Sequence, residues 1–168
     1  MCGKLSPLTS RGVVTMAPLS KLTALVIAAA LTATSAIAAG PDRKKPVSGQ
    51  TTAELYAGKT WIWSKGGSYW GPDGSFQAVW EDNVGLGKWY ATSKGSLCYE
   101  ATWYYQKGVP GEPRKECYRH VADSEGQLWK YNEKDKSWYK PKKEFAERIK
   151  PGNKIRSQVR KLRRKYGI

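Results

Sequence analysis

One histidine, three cysteines and fourteen carboxylates are all the material this chain offers for acid–base, nucleophilic or metal chemistry. His120 stands between Arg119 and Val121 with no second histidine, so a metal site would lack partners at ligand spacing. Glycoside hydrolysis needs two carboxyls facing one cleft. Glu81 and Asp82 are adjacent and point to opposite faces of a strand, and Glu100 stands alone. Cys98 and Cys117 lie on strand-like segments, without the helical C-x-x-C of a redox site. The reading is therefore of a non-enzymatic protein, with no catalytic residue, no metal ligand and no cofactor.

The remaining candidates bind rather than react. Eight Trp and ten Tyr accompany only two Phe. Such rings fill small β cores or form platforms for sugar rings and lipid chains. The platform candidates are Trp70, Tyr104, Tyr118 and Tyr139, which lie on less apolar faces or beside turns. Net charge is +15, which directs attention to anionic partners. That charge is unevenly placed. Residues 140–168 hold twelve Lys and Arg against two Glu, a net of +10, whereas residues 39–139 hold fourteen against twelve, a net of +2. The anion-binding candidates are Lys154, Arg156, Arg160, Lys161, Arg163, Arg164 and Lys165. The expected partner is an anionic membrane surface, lipopolysaccharide or acidic polysaccharide, with nucleic acid bound only non-specifically.

The N-terminus gives this charge a compartment. A basic residue, Lys21, precedes an apolar run over Leu22–Leu31 and small residues ending Ala36-Ile37-Ala38. This order is that of a secretory signal peptide over residues 1–38, cleaved after Ala38 or Ala39. A complete signal also begins at Met16, which makes residues 1–15 a matter of start-site choice. Export to the periplasm or beyond is the expectation. Cleavage removes Cys2 and leaves an even pair in an oxidising compartment, so Cys98 and Cys117 are expected to form a disulfide. Closing a loop of eighteen intervening residues stabilises by about 3 kcal/mol in the chain-entropy account.

The elements that hold these residues follow from period and punctuation. Residues 39–50 are polar and rich in Pro and Gly, and read as a flexible leader. Thr51 and Glu54 form a capping pattern for a short helix ending near Gly58. From Thr60 the apolar period is two. Strands are expected over Thr60–Trp63, Ser68–Trp70, Ser75–Glu81, Lys88–Thr92, Leu97–Tyr105, Cys117–Val121, Gln127–Tyr131 and Ser137–Tyr139, with Asp82–Gly87 as a loop. Phe76, Ala78 and Trp80 share one face; Leu97, Tyr99, Ala101, Trp103 and Tyr105 share another and read as core. Seven or eight short strands at regular spacing predict an all-β fold: a small antiparallel meander barrel over residues 51–139. Residues 140–168 read as a basic tail. Within it, Lys154–Tyr166 places Ile155, Val159, Leu162 and Tyr166 in one narrow apolar stripe on a cationic helix.

The pattern of Gly58 and Trp61, then Gly67, Tyr69, Asp73 and Gly74, then Gly87 and Trp89, then Gly95, Leu97 and Cys98, and finally Cys117 resembles an uncharacterised bacterial exported family, domain of unknown function 995. The resemblance covers about Thr52–Tyr139. It implies no activity and no functional residue. A looser likeness to lipocalin-type barrels rests on Gly58 and Trp61, one residue further apart here than in that motif. Two further functions remain as alternatives: a carrier of a small apolar ligand inside the barrel, and a glycan-acting enzyme.

Overall fold

The computed structural model describes residues 39–168. The expected signal peptide and Cys2 lie outside the described residues. The chain forms α1 (Gly49–Tyr56), β1 (Lys59–Trp63), β2 (Gly66–Trp70), β3 (Ser75–Trp80), β4 (Asn83–Ala91), β5 (Ser96–Tyr104), β6 (Glu112–Ala122), β7 (Leu128–Asn132), β8 (Ser137–Tyr139), α2 (Lys142–Arg148), β9 (Ile149–Pro151) and α3 (Arg156–Tyr166). The strands make one antiparallel meander in the order β8-β7-β6-β5-β4-β3-β2-β1-β9.

The expected barrel is not formed. The sheet curls but does not close: no ladder joins its end strands, β8 and β9. β9 pairs with Lys59–Trp61 on the outer edge of β1, leaving Ile62 and Trp63 unpaired there. β6 pairs with β5 through Glu112–Arg119 and with β7 only through His120–Ala122. Its stretch Glu112–Arg119 therefore has one free edge, blunted by Pro113, Arg114, Lys115 and Glu116. The two edges still approach one another. Lys130 Nζ of β7 lies 3.4 Å from the Trp61 ring centroid of β1, and Tyr118 meets Trp61 at 5.6 Å. Helix α2 spans this seam: Glu144 pairs with Lys130 at 2.8 Å and accepts the Tyr139 hydroxyl at 2.6 Å.

The concave face is filled by side chains. Tyr56 of α1, Trp70, Phe76, Ala78, Trp89, Leu97, Tyr99, Ala101 and Trp103 form one buried cluster. Phe76 stacks on Tyr99 at 4.3 Å, and Trp70 meets Phe76, Trp89 and Tyr56 edge-on or tilted. Four of the five residues expected on the inner face of β5 are buried; Tyr105, beyond the strand end, is exposed. Cys98 and Cys117 are directly opposed in the β5–β6 register and form the expected disulfide on the other face.

Several elements differ from the sequence reading. Asn83–Gly87 is strand, not loop: Gly85 and Gly87 look like breakers but leave room for the neighbouring strand. A Cβ at Gly85 would lie 2.7 Å from the Trp103 ring. Ser48, not Thr51, caps α1, its hydroxyl accepting from the Thr51 amide at 3.0 Å. Part of the leader is pinned. Asp42 N–H donates to the Ala122 carbonyl, Ala122 N–H to the Lys45 carbonyl, and Pro46 bridges Val121.

The basic C-terminal segment is integrated into the domain. β9 extends the sheet, and α3 packs on the convex face. Ile155, Val159, Leu162 and Tyr166 are buried against Val79 and Val84, with Tyr69, Leu86 and Tyr104 around them. Thr60 holds the N-terminal end, donating to the Gly152 carbonyl at 2.7 Å and accepting the Lys154 amide at 2.9 Å. Tyr166 holds the other end by donating to the Asp82 carbonyl. The apolar stripe is thus spent on the fold. Leu162 is buried between helix and sheet. Leu162→Ala is expected to lower unfolding free energy by about 2–4 kcal/mol in urea melts followed by Trp fluorescence.

Candidate functional site

The concave rows of the sheet end in an open mouth. Register places Trp63 opposite Gly66, Gly66 opposite Trp80, and Trp80 opposite Asn83, so these four share one row at the sheet's rim. Gly66 is required there. Its φ is 151°, and a Cβ would fall 2.0 Å from the Val79 carbonyl oxygen. With no side chain between them, Trp63 and Trp80 approach to 6.0 Å at a 55° tilt.

Across the mouth stands the free half of β6. Opposition of Cys98 to Cys117 puts Tyr99 opposite Glu116 and Ala101 opposite Arg114. Side chains alternate along a strand, so Arg114, Glu116 and Tyr118 project inward beside the aromatic wall. They line, with Trp63, Trp80, Asn83, Tyr99, Trp103 and Tyr105, a cleft of about 270 Å³. Glu116 accepts the Tyr118 hydroxyl at 3.0 Å. Arg114 pairs with the exposed Glu112 at 3.6 Å and lies beside the Tyr105 hydroxyl. Trp103 is buried between these residues and Gly85. Burial raises the pKa of the Tyr99 and Tyr118 phenols, and Glu116 adds to both shifts.

Behind the mouth lie buried polar groups that serve the fold. The carbonyl of Gly95 can only accept, so His120 Nδ1 donates to it at 3.1 Å. Nε2 then accepts the Tyr56 hydroxyl at 3.0 Å. Burial pulls the imidazole down to about 4, so it is neutral near pH 7. Burial likewise pulls the Lys130 ammonium down to about 8, against the opposing pull of Glu144.

The second feature is the outer face of α3. Arg156, Arg160, Arg163 and Arg164 fall at i, i+4, i+7 and i+8 and line one groove of about 320 Å³ beside Gln77. No Asp or Glu side chain lines it. Arg163 Nε donates to the Ile168 carbonyl at 3.3 Å. On the opposite flank Lys165 pairs with Asp82 at 3.1 Å, beside Lys161. Lys154 is exposed at the helix entry.

The other expected site residues are placed differently. Trp70 is 1% exposed and belongs to the core, so it is no platform. Tyr104 lies under α3, and Tyr139 is held by Glu144. Tyr118 alone of the four lines the cleft. The carboxylates weighed for hydrolysis do not converge: Glu81 pairs with Lys65, Asp82 with Lys165 and Glu100 with Lys115. Among the described residues no group of three or more His, Cys, Asp or Glu is placed to hold a metal. The centre expected to carry an apolar ligand is occupied by the Tyr56–Trp70–Phe76 cluster.

Sequence reasoning passed over Arg114 and Glu116. The signal was present, since the disulfide fixes the register that turns both inward. A larger groove of about 510 Å³ lies over β4–β6, but its Glu100 and Lys115 are already paired at 2.7 Å.

Fold and surfaces together define a mostly β protein whose curled, open meander carries an aromatic mouth and a fixed cationic helix. The chain belongs to the family described as protein of unknown function (DUF995), whose sequence profile matches residues 23–167. The match extends past Tyr139 and takes in α2, β9 and all of α3. Comparison with curated proteins and with solved structures finds no match, and nothing supports the lipocalin likeness.

His120 gives the site a pH signature. Its pKa falls on folding from about 6.5 to about 4, so the unfolded chain binds the proton more tightly. Its contribution is full above about pH 6.5 and is lost as pH falls towards 4, about 3 kcal/mol in all. As the sole histidine, its Cε1–H resonance is unambiguous. The resonance is expected to stay constant from about pH 8 to about pH 5. A midpoint near 6.5 would contradict the buried neutral ring.

Proposed function

We propose that the protein is an exported, non-enzymatic binding module that docks on phosphate-bearing envelope material through the outer face of α3. The observation that carries this reading is the groove lined by Arg156, Arg160, Arg163 and Arg164 without an Asp or Glu side chain. Like charges at helical spacing repel one another. A planar guanidinium offers paired donors that match phosphate oxygens, which a lysine does not. Anionic headgroups and lipopolysaccharide phosphates therefore fit better than the carboxylates of an acidic polysaccharide.

Docking of the apolar stripe shapes the mode of attachment. Ile155, Val159, Leu162 and Tyr166 are held against the sheet and are not offered to a bilayer. Binding by this face is electrostatic, without the shallow insertion of a free amphipathic helix. It is accordingly sensitive to salt on the scale of the Debye length.

Deletion is a poor test, because removing residues 141–168 would also strip β9 from β1 and uncover Val79 and Val84. Substitution of exposed side chains avoids this. The triple variant Arg156→Gln, Arg160→Gln, Arg164→Gln is expected to weaken co-sedimentation with anionic phospholipid vesicles about a hundredfold, at about 1 kcal/mol per charge. Lipopolysaccharide and polygalacturonate serve as parallel arms. Binding that persists unchanged in the triple variant, or that survives about 1 M salt, would overturn the reading.

A further inference from the structure

We infer that the aromatic mouth is a binding site for a neutral glycan, taking a pyranose ring between the Trp63–Trp80 wall and the inward charges of β6. This site shares no residue with the cationic face of α3 and does not depend on it.

The arrangement is costly as a purely structural one. Trp80 is 39% exposed and Tyr105 44% exposed, and both line the same cleft. Arg114 and Glu116, like Glu112, occupy inward positions on a strand whose remaining inward residues, Tyr118 and His120, are partly or wholly buried. Neither charge is needed to fill the core.

One kind of ligand would use all these groups. A pyranose presents C–H bonds with partial positive charge on its ring face, which suit the negative face of an indole. Its edge carries hydroxyls that donate and accept, matching the donors of Arg114 and the acceptors of Glu116, with the Asn83 carboxamide supplying both. A purely apolar ligand would strip water from Arg114 and Glu116 and offer no hydrogen bonds in its place. Arg114 stands between two carboxylates, Glu112 and Glu116, so a polyanion is not favoured here. The 55° tilt between Trp63 and Trp80 makes a wedge rather than a parallel slot. A puckered ring fits a wedge, whereas a flat base or indole stacks best between parallel faces.

The test is a titration of the full chain in about 0.5 M NaCl, which suppresses attachment through α3. Cellotetraose and N-acetylchitotetraose are the neutral probes; indole and adenosine are the controls. Trp fluorescence and calorimetry should show at least one oligosaccharide binding with a dissociation constant of about 1 mM or tighter. Trp80→Ala and Glu116→Gln should each weaken it by about tenfold or more. The α3 triple variant should bind as wild type. Both mouth residues are solvent-exposed, and near-UV circular dichroism checks the fold; Glu116→Gln changes no volume and carries the test if Trp80→Ala unfolds. No response to either oligosaccharide, unchanged affinity in Glu116→Gln, or tighter binding of indole or adenosine would overturn the inference.

Discussion

The seam between the two ends of the sheet is the constraint on which the rest depends. A nine-stranded antiparallel meander curls far enough to bring β1 and β7 together, but no ladder joins them. Side chains do this instead. Lys130 lies over the Trp61 ring and pairs with Glu144, which also receives the Tyr139 hydroxyl. Such a buried pair is a specific tie rather than a strong one, since desolvation offsets most of the attraction. Its effect is positional: it holds α2 across one end of the seam and leaves the other end open. Trp63, Trp80, Arg114 and Glu116 meet at that open end.

The same logic governs the convex face. Strands β3 and β4 present Val79, Val84 and Leu86 outward, which would expose an apolar patch if nothing covered it. Helix α3 covers it with a stripe of four residues, and Thr60 and Asp82 fix its two ends. Once the stripe is buried, the cationic residues have one orientation left. Packing thereby converts a run of charge into a rigid face, with four arginines on one groove.

Much of the local structure was legible. Period-two alternation located eight of the nine strands, and the signal peptide argument led to the Cys98–Cys117 disulfide. What could not be read was long-range. β9, a three-residue strand ending at Pro151, pairs with the edge of β1, and three residues carry no periodicity. Trp70 was misplaced because its strand is short and glycine-rich, so its face could not be told from pattern alone. Gly85 and Gly87 suggested a loop because their neighbours' bulk, above all Trp103, comes from another strand. The mouth itself was legible in principle. Pairing Cys98 with Cys117 fixes the parity of β6 and turns Arg114 and Glu116 inward.

The central claim is that the basic C-terminal segment is part of the folded unit, so that its charged face is fixed relative to the sheet. Native-state amide hydrogen exchange of the intact protein tests this most directly. The account predicts that the amides of Val159–Tyr166 are protected with the same opening free energy as those of β3 and β4. Exchange of α3 at the rate of a free peptide, with β3 and β4 still protected, would contradict it.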